Sequence, residues 1–373
     1  MLVRRIVLPA SALESWTVLG DDAAPVEPIE RYLAYLSDIE RSPNTVKAYA
    51  HDLKDWFSFL GIRGLDWREV RREVRLEDVG EFVAWLRLPP LARSGAVAVL
   101  PSVDHHCGEA TVNRKLSAVS AFYQHAARHG VDLDDLLQTW QPAGRRGTAW
   151  KPFLHHVSKG HPQARRAIRL RAPRKHPRIL TVAEVQAILD ACTRLRDRLL
   201  FAVLYDTGMR IGEVLGLRHE DMAAAEREIT VCPRLNDNGA RTKSQTARTI
   251  PVSPQLIRLY ADYLHEEVRD LDSDYVFVNL WGRPHGHPLS YPAVYDLVKR
   301  LRRRTGIDFD PHWWRHTVAT RLLRDGVPVE TVSKLLGHVD ITTTLDVYGH
   351  LTVEDARRAL EAAGWFSGAA VRL

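Results

Sequence analysis

Two arginines, three histidines and a tyrosine stand where an ordinary helix or turn has little use for them. Arg210 lies in Thr-Gly-Met-Arg-Ile-Gly-Glu, directly after a predicted helix break, so its guanidinium can project from the start of the next helix. Glu213, three residues on, is placed to hold that guanidinium or to cap the turn. A second group occupies Asp310-Pro311-His312-Trp313-Trp314-Arg315-His316. His312 and Arg315 share one helical face. An arginine offers an oxyanion a rigid fork of donors, and a histidine titrating near neutrality can move protons. Leu336-Gly337-His338 follows, with Tyr348 ten residues after the histidine. Each of these two also has a plain reading, His338 as a polar helix cap and Tyr348 as an amphipathic residue at a helix edge. Zinc chemistry is not indicated. The His-x-x-Arg spacing puts a cation beside the would-be metal, and Cys107, Cys192 and Cys232 are too dispersed for a zinc cluster or a disulfide framework. No metal or cofactor is expected.

The elements that must position these residues are legible from caps and periodicity. A chain of 373 residues, 45% of them hydrophobic, has room for two or three domains with substantial cores. Ser42-Pro43 has the chemistry of a helix start, and Val46, Tyr49, Leu53, Trp56, Phe57 and Leu60 then recur at helical spacing. Val112, Leu116, Val119, Phe122 and Ala126 mark a second helix, closing near Gly130, and Val79, Phe82, Val83 and Leu86 a third. These stripes predict a small all-helical domain with an irregular insertion near 88–110. Thr181-Val-Ala-Glu184 has capping-box spacing and opens the second domain. Gly208 is a predicted break after a helix through Leu199 and Leu204. Short strands are predicted at Ile229–Val231, Thr249–Val252 and Tyr275–Val278, with Asn238-Gly239 in a connecting turn. Helices return at about 291–304, 311–325, 328–336 and 352–361, with Gly337 as a stop.

Charge separates these two regions. Residues 141–180 carry 11 Lys and Arg and no Asp or Glu, whereas the chain as a whole has a net charge of only +6. All of the excess lies in that segment, which suits either a solvated linker or a polyanion, with affinity tied to salt. No apolar run reaches 18 residues, which argues against a transmembrane helix, and the opening MLVRRIVLPASAL is interrupted by Pro9. A cytoplasmic protein is expected.

Taken together, the boxes resemble the tyrosine site-specific recombinases of the phage integrase family. Arg210 in TGMRIGE resembles the family's first arginine, His312 and Arg315 in HWWRHTVAT its His-x-x-Arg motif, His338 in LLGH its third-box histidine, and Tyr348 in LDVYGH its nucleophile. Lys243 in RTKSQTARTIPV has the spacing of the family's hairpin lysine, with Arg241 and Arg248 as neighbouring competitors. The resemblance covers nearly the whole chain and implies a multidomain, mainly α fold. It would comprise a helical, SAM-like core-binding domain (28–137), a basic interdomain linker (138–179) and a mixed α/β, mostly helical catalytic domain with a small antiparallel sheet (180–361). An N-terminal extension (1–27) and a C-terminal tail (362–373) complete the scheme. The long linker and the insertion look more like transposon-encoded integrases than compact Xer-type recombinases.

The resemblance also implies a reaction. Tyr348 would attack a scissile phosphate of duplex DNA, giving a 3′-phosphotyrosine and a free 5′-hydroxyl. Arg210 and Arg315 would neutralise the transition state and His338 would donate a further hydrogen bond. Lys243 would protonate the leaving oxygen, and His312 would assist proton transfer at the tyrosine. Glu213 and His316 would support the arginines. Arg165, Arg166, Arg169, Arg171, Arg174 and Lys175 of the basic stretch, with Lys47, Arg114 and Lys115 of the core-binding helices, are the expected DNA contacts. Partners would be duplex DNA with paired recombination sites and three further copies of the chain, which is a monomer or weak dimer when free; accessory proteins are left open. Strand exchange would pass through a Holliday junction, and the helix after Thr352 would join neighbouring protomers. A type IB-like topoisomerase shares the Arg-Lys-His-Tyr logic, and a catalytically inactive DNA-binding protein would share the fold; a metal enzyme is a distant third. Localisation would be bacterial cytoplasm, on nucleoid DNA.

Overall fold

Local chemistry sets the helix starts. Ser42 accepts the Thr45 N–H on its hydroxyl at 3.2 Å, with Pro43 in the first turn, and Thr181 and Glu184 exchange backbone N–H bonds with each other's side chains. The computed structural model describes residues 1–7, 14–68, 75–93, 105–129, 138–141, 163–166, 168–172, 178–242 and 246–337. They divide into two compact units, Met1–Arg174 and Lys175–Leu373. The fold is a mainly helical, multidomain one with small antiparallel sheets.

The first unit holds strands β1 (Leu2–Val7) and β2 (Glu14–Leu19), then helices α1 (Glu27–Asp38), α2 (Pro43–Arg63), α3 (Arg75–Arg87) and α4 (Glu109–Arg128). Strands β3 (Gln138–Gln141) and β4 (Gln163–Arg166) pair antiparallel after them. The predicted stripes are the core: Trp56, Phe82, Val112, Val119 and Phe122 are buried together. Three features go beyond the sequence reading. A hairpin of β1 and β2 occupies the start of the chain and puts Val18 into the helical core. Helix α1 adds Ile29, Tyr32, Leu33 and Leu36, a helical stripe behind Glu27-Pro28. Finally, Ile168 and Leu170 of the basic stretch pack on that core, and the Asn113 side chain holds the Leu170 backbone with two 2.9 Å bonds. Arg169 and Arg171 alternate with them and are exposed, a period of two hidden in a basic run.

The second unit runs α5 (Val182–Asp190), α6 (Leu195–Thr207), α7 (Ile211–Leu215), β5 (Met222–Ala223), β6 (Glu228–Val231), β7 (Arg248–Pro251) and α8 (Pro254–Tyr263). Helices α9 (Tyr291–Thr305), α10 (Pro311–Arg324) and α11 (Val329–Leu336) follow. The sheet order is β5-β6-β7, antiparallel throughout, with Ile229 opposite Ile250 and Val231 opposite Arg248. Helices α6 and α10 are held face to face by Trp314, which is buried and stacked on Phe201 at 5.3 Å. The expected strand at Tyr275–Val278 is not one. Tyr275 and Val278 make only single bridges, to Arg218 and Pro288, although all four residues are buried. The bonds beside Val278 come from its neighbours, Leu289 N–H to the Phe277 carbonyl and Asn279 N–H to the His287 carbonyl, both at 2.8 Å, and the pairing goes no further than that bridge. The expected helix at 352–361 and the tail at 362–373 lie outside the described residues.

Candidate active site

Glycine 208 ends α6 with φ +65°, a left-handed conformation that reverses the chain so that Arg210 becomes the residue before α7. A Cβ at Gly208 would stand 2.8 Å from Leu336 and 3.2 Å from Val318, so the turn sits tightly against α10 and α11. Arg315 crosses that contact. Its guanidinium is buried and donates to the Gly208 carbonyl at 3.0 Å and to the Leu336 carbonyl at 2.6 Å. The two arginines therefore converge: one follows the Gly208 turn, and the other is bonded to it. The Leu336 carbonyl is one of the four at the end of α11 that lack an intrahelical donor, so Arg315 also caps that helix.

Glu213 is fully buried in the first turn of α7 and binds two guanidiniums. Its Oε1 accepts Arg210 Nη1 at 3.0 Å, and its Oε2 accepts the Arg210 backbone N–H at 2.9 Å and Arg248 Nη2 at 2.6 Å. Burial would raise the carboxyl, but the bond to Arg248, its charge and the Arg210 contacts outweigh that and hold it below the ordinary range. Glu213 is thus an anion at neutral pH. Arg248, named from sequence only as a rival to Lys243, has its guanidinium committed to Glu213 and to the Leu335 carbonyl, with Nε donating to the latter at 2.9 Å. A signal for this was present: in β7 it lies two residues from buried Ile250, on the inward-facing side.

Asp310 accepts the His312 N–H at 2.9 Å and starts α10, with Pro311 in the first turn. His312 is exposed, and its ring meets that of His316 edge-on at 4.5 Å. Burial, then the neighbouring His312 and Arg315 charges, push His316 down from 6.5 to about 4. Its folded pKa lies below its unfolded value, so between about 4 and 6.5 the unfolded chain binds the extra proton. Stability is therefore expected to fall as pH drops from about 6.5 toward 4, and His316→Gln should flatten that fall. Urea midpoints of both proteins across this range check it; equal slopes would show that His316 has no part in the fall.

Tyr291 and Tyr295, other phenols of the second unit, are the alternatives to Tyr348 as nucleophile. Burial raises the Tyr291 phenol, whose hydroxyl packs where Gly212 lacks a side chain, and burial likewise raises Tyr295. A raised phenol is a weaker nucleophile at neutral pH. Lys243, His338 and Tyr348 lie outside the described residues, as do Arg174 and Lys175. Among the expected DNA contacts, Arg165 and Arg166 lie on β4, and Arg169 and Arg171 are exposed. Lys47 is exposed, with its ammonium 4.5 Å from the centre of the Trp16 ring. Lys115 is placed differently. It is buried, with Nζ 2.7 Å from Asp55 and 3.2 Å from Asp52, and Arg114 also pairs with Asp52. These pairs tie α2 to α4, and the Lys115 ammonium is committed inside the domain. Among the described residues no group of three or more His, Cys, Asp or Glu could hold a metal ion, and no helix is long and apolar enough to cross a membrane.

Residues 178–355 match the model of the phage integrase family, and residues 29–130 match that of the phage integrase N-terminal SAM-like domain. The chain is 38% identical over 361 residues to transposase A from transposon Tn554 of Staphylococcus aureus, 96% of each chain being covered. It is 35% identical over 200 residues to the tyrosine recombinase XerA of Thermococcus onnurineus, covering 53% of this chain and 67% of that one. Among solved structures, the Tn1549 transposon integrase in complex with a circular intermediate DNA shares the fold, with a TM-score of 0.58 at 18% identity. That match covers 90% of this chain and 99% of the other.

Proposed function

The chain belongs to the phage integrase family of tyrosine recombinases, and from that premise we propose that Arg210, Lys243, His312, Arg315, His338 and Tyr348 carry its strand cleavage. It is an enzyme of DNA recombination, and its reaction is the family's breakage and rejoining of DNA through a phosphotyrosine. The observation that supports the residue assignment best is the convergence of Arg210 and Arg315 on the Gly208 turn. In this reading Tyr348 attacks phosphorus and expels the 5′-oxygen, whose proton comes from Lys243. His312 takes up the phenolic proton. Charge gathers on the non-bridging oxygens as the pentavalent state forms, and fixed guanidiniums need no reorganisation to meet it. The phosphodiester energy is retained in the tyrosyl link, so a 5′-hydroxyl of a partner strand can reverse the step.

Four protomers on two recombination sites would perform two such exchanges through a Holliday junction, on bacterial nucleoid DNA. The similarity to transposase A from Tn554 favours service to a mobile element. Incubating the protein with two marked duplexes tests this: recombinant junctions are expected, whereas relaxation of supercoils without exchange would favour a topoisomerase.

The basic stretch should supply affinity independent of sequence. Replacing Arg165, Arg166, Arg169 and Arg171 with alanine is expected to weaken binding to every duplex. The slope of log K against log salt should flatten by roughly 0.9 for each phosphate that no longer has a cation beside it. A titration series giving the wild-type slope and affinity would return the segment to the role of a linker.

A further inference from the structure

Resting on the assignment of Arg210 above, we infer that Arg248 is a positioning residue for strand cleavage, setting the pose and charge of Arg210 without touching DNA. Both oxygens of Glu213 are shared between Arg210 and Arg248. Oε1 accepts from Arg210 Nη1 at 3.0 Å and Arg248 Nη1 at 3.3 Å, while Oε2 accepts from the Arg210 N–H at 2.9 Å and Arg248 Nη2 at 2.6 Å. Those four bonds fill the acceptor capacity of a carboxylate. Arg248 thereby limits Arg210 to one side-chain bond with Glu213.

The charge balance has a catalytic consequence. Two guanidiniums and one buried carboxylate leave this cluster with one net positive charge beside the proposed phosphate site. Without Arg248 the cluster is neutral, and Glu213 is open to a two-pronged grip on Arg210, drawing it away from an incoming phosphate. The third bond of Arg248, from Nε to the Leu335 carbonyl at 2.9 Å, fixes the end of α11 that leads to His338. Gly337 makes this approach feasible. A Cβ there would lie 2.8 Å from Arg248 Nη1 and 3.0 Å from Cζ. One side chain therefore joins the Arg210 turn, strand β7, which follows Lys243 in sequence, and the helix before His338.

Single-turnover cleavage of a nicked suicide duplex tests the inference, using the full chain and two scissile groups, the natural phosphate and a neutral methylphosphonate. Arg248→Gln should cleave the phosphate roughly a hundredfold more slowly than wild type, the scale expected when a reacting group is misplaced. Affinity for the duplex should stay within about twofold. Arg248→Lys restores the charge but not the fork, so it should recover part of the rate. The methylphosphonate carries less charge to neutralise, so the deficit should shrink on it by about tenfold. A merely structural residue would slow both substrates alike. Equal losses on both, or a wild-type rate for Arg248→Gln, would overturn the inference. Where Arg248→Gln does not fold, the Lys variant carries the same comparison, with a smaller deficit that must still shrink on the methylphosphonate. If the wild-type protein forms no adduct, the proposed site and this inference fall together; an active wild type with indifferent variants removes only the role of Arg248.

Discussion

Tyr348→Phe is expected to fold, bind DNA and assemble on paired sites, yet form no covalent adduct. The phenylalanine keeps the ring and its packing, and only the phenolic oxygen is removed, the atom that must bond to phosphorus. The expected effect is the full cleavage signal, larger than for any other single change. A duplex nicked near the scissile phosphate traps the enzyme, because the short 5′-fragment diffuses away and cannot religate. Denaturing electrophoresis then shows the adduct, and peptide mapping locates it. The rivals are Tyr291 and Tyr295, whose phenols burial pushes upward and so away from the anionic nucleophile. An adduct on either, or one that persists in Tyr348→Phe, would overturn the assignment. A strict requirement for Mg²⁺ would overturn the chemistry itself.

How far the sequence reaches can be judged residue by residue. Capping is local chemistry, so Ser42 and Thr181 mark their helices in sequence and in structure alike. The left-handed stops at Gly208 and Gly337 are likewise local, both at φ +65°. Convergence is not local. Nothing in the spacing of residues 208 and 315 states that one's carbonyl receives the other's guanidinium, a bond across 107 positions of chain. Only the family resemblance joined those boxes before the fold did. Lys115 shows what a charge count leaves open. It is a basic residue on a helix of the SAM-like domain, but its partners Asp52 and Asp55 lie 63 and 60 positions earlier, near the middle of α2. A charge count cannot tell a buried pair from a surface cation. The Tyr275–Val278 segment has the composition of a strand, yet its two ends bridge different segments, Arg218 at one and Pro288 at the other, so no continuous ladder forms.

The two arginines should fail differently when each becomes alanine, because their surroundings differ. The Arg210 side chain is about one-fifth exposed, at 21%, and removing it leaves Glu213 bonded to Arg248 and to the backbone N–H of residue 210. One charge-assisted bond disappears, so stability should drop by about 1–2 kcal/mol. The barrier to cleavage should rise by about 3 kcal/mol or more, the usual consequence of deleting one preorganised donor to a developing oxyanion. Arg315→Ala removes the same class of donor but also strands the Gly208 and Leu336 carbonyls. Each buried carbonyl left without a donor costs about 1–3 kcal/mol, and the vacated volume adds to that. The packing of the Gly208 turn on α11 should therefore loosen, and the loss of cleavage should come with a clear fall in the urea midpoint. Single-turnover rates and denaturation curves, measured on both variants, separate the cases. Arg210→Ala cleaving within about tenfold of wild type would remove it from the transition state. If Arg315→Ala is as stable as wild type, the structural half of its role is wrong, whatever its rate.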